Sequence, residues 1–248
     1  KKHHLSAKLL LKSGQTVLDI GSGWGGLALH LGEVADVEVT GLTLSSQQYK
    51  IAEARARDRG LSKKVRFHLR DYREERGKYD RVVSVGMFEH VGVPYYNAYF
   101  RAIFDRLKSD GVALVHTIGR ADGPGVTNPF IRKYIFPGGY IPALSEMAAA
   151  IERTGLYITD VEVLRLHYAE TLRAWRNRFL ANRGQARELN DERFCRMWEY
   201  YLAASEVAFR CMGLVVWQIQ LAKNQEAVPL TRDYITDFDR DLEVRQSI

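Results

Sequence analysis

The chain has 248 residues but only two cysteines and six prolines, and no apolar run approaches the roughly 20 residues of a membrane-spanning helix. Cys195 and Cys211 fall in one helical stretch, so they offer neither a disulfide framework nor a zinc site of the CxxC kind. His3, His4 and His167 are dispersed, no HxxxH pattern occurs, and no metal set is expected. No Ser-His-Asp spacing recommends a hydrolase triad, and no internal repeat or low-complexity tract is present. Lys1-Lys2-His3-His4 leads into an amphipathic pattern (Leu5, Leu9, Leu10) rather than an apolar core with a cleavage site, so no signal peptide is expected. With so little cysteine, this fits a reducing cytoplasm. The net charge of +6 leaves nucleic acid and anionic membrane open on charge alone. None of the usual nucleic-acid motifs is visible, and no nucleic-acid partner is expected.

What the chain does have is Val17-Leu18-Asp19-Ile20-Gly21-Ser22-Gly23-Trp24-Gly25-Gly26, a strand pattern running into a glycine-rich turn and then a helical pattern from about Leu27. Glycines let a backbone turn tightly and approach a ligand closely. The following helix offers free N–H groups to a negative group. The spacing is G-x-G-x-G-G rather than the G-x-G-x-x-G of dinucleotide folds. Asp19, just before the glycines, suits a ligand whose amino-acid end needs both an anion acceptor and a cation acceptor: S-adenosylmethionine. Gly21 is expected to tolerate no side chain because that end lies against the turn.

Strand-like runs at Thr16–Ile20, Val37–Leu44, Val65–Leu69, Arg81–Val85 and Val112–Thr117 alternate with helical runs at Leu27–Glu33, Ser46–Arg59 and Tyr96–Lys108. This alternation implies a doubly wound parallel sheet. A proline- and glycine-rich loop over Arg120–Tyr140 follows; long loops in compact domains are usually functional. Ile158–Leu166 reads as a strand and Thr171–Met212 as helices. In Val215–Leu221, Val215, Trp217, Ile219 and Leu221 lie on one face and Gln218 and Gln220 on the other, the pattern of a half-buried strand. The fold expected is α/β: a Rossmann-like, seven-stranded class I methyltransferase sheet in one domain over 1–248. Its core covers about 9–167 and 213–226, and a helical cap is inserted before the last strand at about 168–212. The tail after Ala227 is polar and reads as extended or disordered. Thr171–Leu180 carries Arg173, Arg176 and Arg178 on an amphipathic helix that either packs on the core or faces anionic headgroups.

Further motifs follow in order: Met87-Phe88-Glu89-His90-Val91-Gly92, His116-Thr117-Ile118-Gly119, Lys133-Tyr134-Ile135-Phe136-Pro137-Gly138-Gly139, and His167-Tyr168-Ala169-Glu170-Thr171-Leu172-Arg173-Ala174-Trp175. With the glycine-rich turn, this order resembles the cyclopropane-fatty-acid synthases, from about Leu9 to the last strand. Ser22 stands where the family often has Cys. The family's Tyr-Ser-Cys-type segment and its additional N-terminal domain lie upstream of where this sequence starts.

The resemblance implies an enzyme that transfers a methylene unit from S-adenosylmethionine to the cis double bond of an unsaturated phospholipid acyl chain. A methyl- or methylene-branched product, or a non-catalytic lipid- or cofactor-binding module, is the alternative. It implies a bound bicarbonate as base, held by side chains at Glu89, His116 and Tyr168 and by backbone at Ile118. Glu89 can accept the bicarbonate hydroxyl, and His116 and Tyr168 can donate to the other oxygens. Asp19, Gly21, Ser22 and Gly23 are expected at the cofactor's methionine end, with Thr43 and Gln48 at its ribose. Asp71 reads either as an acceptor for the adenine amino group, with Tyr72 stacking beside the ring, or as a turn residue; Ser45 reads as a helix N-cap. The expected location is the cytoplasm, peripherally on the inner face of the membrane. The oligomeric state stays open, a homodimer among the alternatives.

Overall fold

The computed structural model describes residues 1–246. Helix α1 (Lys2–Lys8) leads into β1 (Thr16–Ile20), α2 (Gly26–Val34), β2 (Glu38–Thr43), α3 (Ser46–Asp58), β3 (Val65–Leu69), β4 (Tyr79–Val85), α4 (Tyr96–Arg106) and β5 (Leu107–Arg120). A long loop leads to α5 (Leu144–Glu152) and β6 (Tyr157–Val163). The helices α6 (His167–Ala181), α7 (Arg183–Leu189) and α8 (Glu192–Cys211) come next, then β7 (Leu214–Ala222) and α9 (Asp233–Gln246).

The strands form one seven-stranded sheet in the order β3-β2-β1-β4-β5-β7-β6. The first five pair in parallel, while β7 runs antiparallel to both β5 and β6. Strand order reverses between β1 and β4. The crossovers therefore leave in opposite directions and open a crevice at the strands' carboxyl ends, where ligands of such sheets bind. Val17, Leu18, Val82, Val83, Ala113 and Leu114 are wholly buried, as near-continuous apolar strands covered on both faces should be. On one face α1, α2 and α3 lay Leu5, Leu9, Leu29, Leu31 and Ala52 against Val17, Val83 and Leu114. On the other, Phe100 and Ile103 of α4 and Met147 and Ile151 of α5 cover Leu18, Val82 and Val115. A third cluster joins Ala169, Leu172, Leu202 and Phe209 of α6 and α8 to Val216, with Ile118 and Phe130 packed against it. Among the described residues no helix is long and apolar enough to cross a membrane.

Four features depart from the sequence reading. Helix α5 lies in a stretch given no element. The fifth strand starts at Leu107, where its first residues pair with Tyr79 ahead of an irregularity, so α4 stops at Arg106. The polar tail forms α9, which packs on α1, its Tyr234 hydroxyl meeting the Gln220 amide at 3.1 Å. And β7 is not half-buried: Gln218 and Gln220 are 1% and 0% exposed. Lying between β5 and β6 under α1, this strand is covered on both faces, and its glutamines serve buried polar contacts. Gln220 donates to the Lys8 carbonyl at 2.6 Å.

Lys8 itself is fully buried, its Nζ 3.0 Å from Asp160 and 2.5 Å from Glu162 on β6. The two carboxylates balance the charge that this buried ammonium brings. Arg232 reaches Asp160 at 3.3 Å, and His4 meets Glu162 at 2.6 Å. Burial opposes ionisation of Glu162, but Lys8 and His4 outweigh it and hold the carboxyl at about 2, against an ordinary 4.5. Removing one partner of a buried pair leaves the other uncompensated. Lys8→Met should therefore destabilise the protein by about 3 kcal/mol at pH 7, read from urea unfolding. A lowered carboxylate pKa stabilises fully above its unfolded value and loses that effect as pH falls through the folded one. The gap between wild type and variant should therefore narrow from about pH 4.5 to 2.

Candidate active site

Asp19 lies near the carboxyl end of β1, 2% exposed, and its Oδ2 is buried with no partner. Burial pushes the carboxyl up to about 7. Beyond it the turn doubles back on β2: the Gly21 and Ser22 amides both donate to the Leu42 carbonyl, at 3.0 and 2.8 Å. The Ser22 hydroxyl donates to the same oxygen, so this side chain braces the turn. No side chain caps α2, whose N-terminus is left open. Gly21 has φ +80°, and a Cβ there would lie 2.8 Å from the Met87 side chain. The sequence reading gave Gly21 a ligand's reason to be glycine. The structure adds a protein's reason, since the Glu89-bearing segment packs directly on it. Gly23 (φ +55°) faces open space, the cradle that a ligand's amino-acid end would need.

At the end of β2 the Thr43 hydroxyl donates to Gln48 Oε1 at 2.9 Å and accepts from the Ser45 amide. The Gln48 side chain is thereby held with its NH2 group as the remaining donor. Ser45 accepts from the Gln48 backbone amide and is the N-cap of α3. Asp71, after β3, behaves as its turn reading requires: it accepts from the Arg73 amide and holds the Arg73 guanidinium at two oxygens. That engagement competes with an adenine amino group. Tyr72 packs edge-on to Tyr99 at 5.6 Å.

Glu89 sits in a 3₁₀ turn, Phe88–His90, just past β4. Its Oε1 accepts from the Ile118 amide at 2.7 Å, and its Oε2 is buried without a partner. The Ile118 N–H expected to hold an anion is therefore already given to Glu89. Burial raises the Glu89 carboxyl although the Ile118 amide, its own amide and the Thr117 hydroxyl oppose it. The Tyr140 amide, from the long loop, donates to the Glu89 carbonyl and ties the loop to this turn. Tyr168, on the first turn of α6, packs on Phe209 and Trp175. Burial and the nearby charge of Glu89 raise its hydroxyl pKa. His116, near the end of β5, is 7% exposed. Burial first, then the positive charges of Lys1, Lys8 and His4, pull it down to about 3, so it is neutral at pH 7. His90 is exposed and packs edge-on to Phe136.

Two participants escaped the sequence reading. Gln218, placed there on the polar face, lies 3.2 Å from Nδ1 of His116. Lys1 brings its ammonium close enough to Glu89 to be affected by it; burial lowers its pKa and Glu89 resists. Only the pairing of β7 with β5 reveals Gln218, and only the packing of α1 reveals Lys1. Among the described residues no group of His, Cys, Asp and Glu could hold a metal ion.

Asp19 gives a test of the burial argument. A carboxyl whose pKa rises on folding makes the native state bind protons more tightly, so stability falls as pH rises from about 3.8 to about 7. Asp19→Asn should raise the thermal midpoint of the ligand-free protein at pH 8, and the gain should shrink towards pH 4. An equal effect at both pH values would refute the shift.

Among characterised proteins, the chain is 42% identical over 219 residues to the cyclopropane-fatty-acyl-phospholipid synthase of Escherichia coli (strain K12). That match covers 88% of this chain and 56% of the relative, so the chain spans little more than half the relative's length. It is 39% identical over 245 residues to a probable fatty acid methyltransferase of Pseudomonas putida, covering 94% of this chain and 62% of that one. The mycolic acid cyclopropane synthase CmaA1, solved with SAH and CTAB, superposes with a TM-score of 0.83 at 33% identity, over 90% of this chain and 83% of the other. The family model of mycolic acid cyclopropane synthetases matches residues 1–219, and the chain belongs to that family.

Proposed function

We propose that the protein transfers a methylene unit from S-adenosylmethionine to the cis double bond of unsaturated phospholipid acyl chains, forming a cyclopropane ring, with bound bicarbonate as the base. The observation that carries this reading is the pair of buried carboxyl oxygens without partners, Asp19 Oδ2 and Glu89 Oε2, one past each side of the sheet's switch point. The first fits a ligand ammonium and the second a hydroxyl donor. The names of the Escherichia coli relative and of the CmaA1 complex support the same reading.

The donor supplies, when bound, an electrophilic methyl group on a positively charged sulfur. Asp19 would take its ammonium, the open turn at Gly23 and the N-terminus of α2 its carboxylate, and Gln48 its ribose hydroxyls. An isolated alkene is a weak nucleophile, so water must be excluded and the reacting atoms held in line. The apolar cluster of α6, α8 and the long loop provides dry walls there. Ring closure requires one proton to leave the newly attached carbon. Glu89 Oε2, the Tyr168 hydroxyl and neutral His116 would hold the anion that accepts it. The aromatic faces of Tyr168 and Phe209 tolerate the positive charge that develops on the acyl chain.

Loss of a proton from elsewhere on the same cation would give a branched product, a second reading that the Pseudomonas putida relative favours. Product analysis by mass spectrometry and proton NMR, with unsaturated phospholipid vesicles and labelled S-adenosylmethionine, separates ring from branch. Glu89→Gln should lower turnover about 100-fold or more while leaving cofactor affinity nearly unchanged. Normal turnover at saturating bicarbonate would refute the anion site.

Docking on a membrane surface, by this proposal the cytoplasmic face, would bring such a substrate within reach. Of the arginines on α6, Arg173 pairs with Glu170 and Arg176 with Glu206, and Arg178, without an ion pair among the described residues, would meet the headgroups. One basic residue near an anionic surface contributes about 1 kcal/mol. Binding to anionic vesicles should weaken with salt and fall about 5-fold in Arg178→Gln. Sedimentation indifferent to both would place docking elsewhere.

A further inference from the structure

A polar row crosses the sheet at the candidate site. In the ladder, Val85 of β4 pairs with His116 of β5, His116 with Gln218 of β7, and Gln218 with Glu162 of β6. Residues directly opposite on neighbouring strands share a face, so His116, Gln218 and Glu162 stand side by side beneath α1. We propose that Gln218 is a positioning residue for His116: its side-chain amide donates to Nδ1 and fixes the imidazole as the Nε2–H tautomer, leaving Nε2–H as the ring's donor to the bound anion. The last step rests on the function proposed above; the Gln218–His116 arrangement does not.

Three observations carry this. The Gln218 Nε2 atom lies 3.2 Å from Nδ1, and both side chains are buried. An amide NH2 group can only donate, so the ring nitrogen facing it must carry a lone pair. The amide's orientation follows from its other end. Gln218 Oε1 is buried with no partner. Turning the amide over would place the NH2 group in that partnerless position, and orphaned N–H groups are rarer in native proteins than under-satisfied carbonyl oxygens. Finally, the ring is neutral. Burial and the cations of α1, Lys8 and His4, together with Lys1, disfavour an imidazolium, so the ring has one N–H to place. A carboxylate at this position would accept instead, selecting the opposite tautomer and favouring a charged ring. Glutamine supplies a donor without a charge.

The test is long-range 1H–15N NMR of the 15N-histidine-labelled protein at pH 7, with His116 assigned by its disappearance in His116→Gln. The wild type should show the Nε2–H form. Gln218→Glu should convert it to the Nδ1–H or imidazolium form, and Gln218→Met, which keeps length but removes the donor, should give a mixture. Both variants should lower turnover, about 100-fold for Gln218→Glu, and raise the KM for added bicarbonate while leaving the KM for S-adenosylmethionine unchanged. A packing role alone would not move the tautomer. An Nδ1–H ring in the wild type overturns the proposal without any variant, and so do variants that keep the wild-type tautomer. A wild type with the Nε2–H form that makes no lipid product refutes the proposed function and leaves the Gln218–His116 arrangement supported.

Discussion

Two buried carboxyl groups, Asp19 and Glu89, each keep one oxygen that no protein group meets. Leaving such an atom unsatisfied costs about 1–3 kcal/mol, and the rest of the structure is arranged around holding these two in place. Asp19 is fixed by β1, the strand paired on both sides at the sheet's centre. Glu89 is held by one bond from the Ile118 amide and by the Tyr140 amide on its own carbonyl. Both carboxyls are raised by burial, so each answers strongly to a ligand that brings a positive charge or a hydrogen-bond donor.

The two sites are mechanically one. Gly21, beside Asp19, has no side chain, and Met87 occupies the space a Cβ would take. Met87 opens the turn that carries Glu89. The end of β1 and the end of β4 therefore interlock, and a change at the glycine turn is transmitted to Glu89 by direct contact. Helices α6 and α8 pack beside this arrangement. Tyr168 begins α6, whose buried side packs with α8 against Val216 and the loop residues Phe130 and Ile131.

Beneath the site, α1 does more than cover the sheet. Its Lys8 is neutralised by Asp160 and Glu162 of β6, the Lys8 carbonyl accepts from Gln220 of β7, and the Leu9 carbonyl just past the helix accepts from Arg81 of β4. Burial first, and then the positive charges of Lys1, Lys8 and His4, keep His116 neutral. The antiparallel insertion of β7 sets Gln218 and Gln220 opposite His116 and Leu114.

Most of the parallel sheet was legible because its signals are local. Valine-rich runs mark strands covered on both faces, glycines mark the turn after β1, and Ser45 marks the start of α3. The order of motifs named the candidate carboxylates, His116 and Tyr168 for the same reason: each lies in a short recognisable segment. What a residue bonds to is not local. Period-two alternation cannot tell a strand's solvent face from a second buried face lined with glutamine, so Gln218 was read as exposed. The Ile118 amide looked free for a ligand until the fold brought Glu89 to it. The polar tail gave no sign of α9, because that helix rests on contacts with α1 rather than on its own composition. The sequence by itself determined which of the parallel strands are buried, where the backbone turns after β1 and which chemical groups lie at the strand ends. The tertiary structure decided which of those groups are left unsatisfied, because only burial and pairing across distant strands can remove water from one oxygen and supply a partner to another.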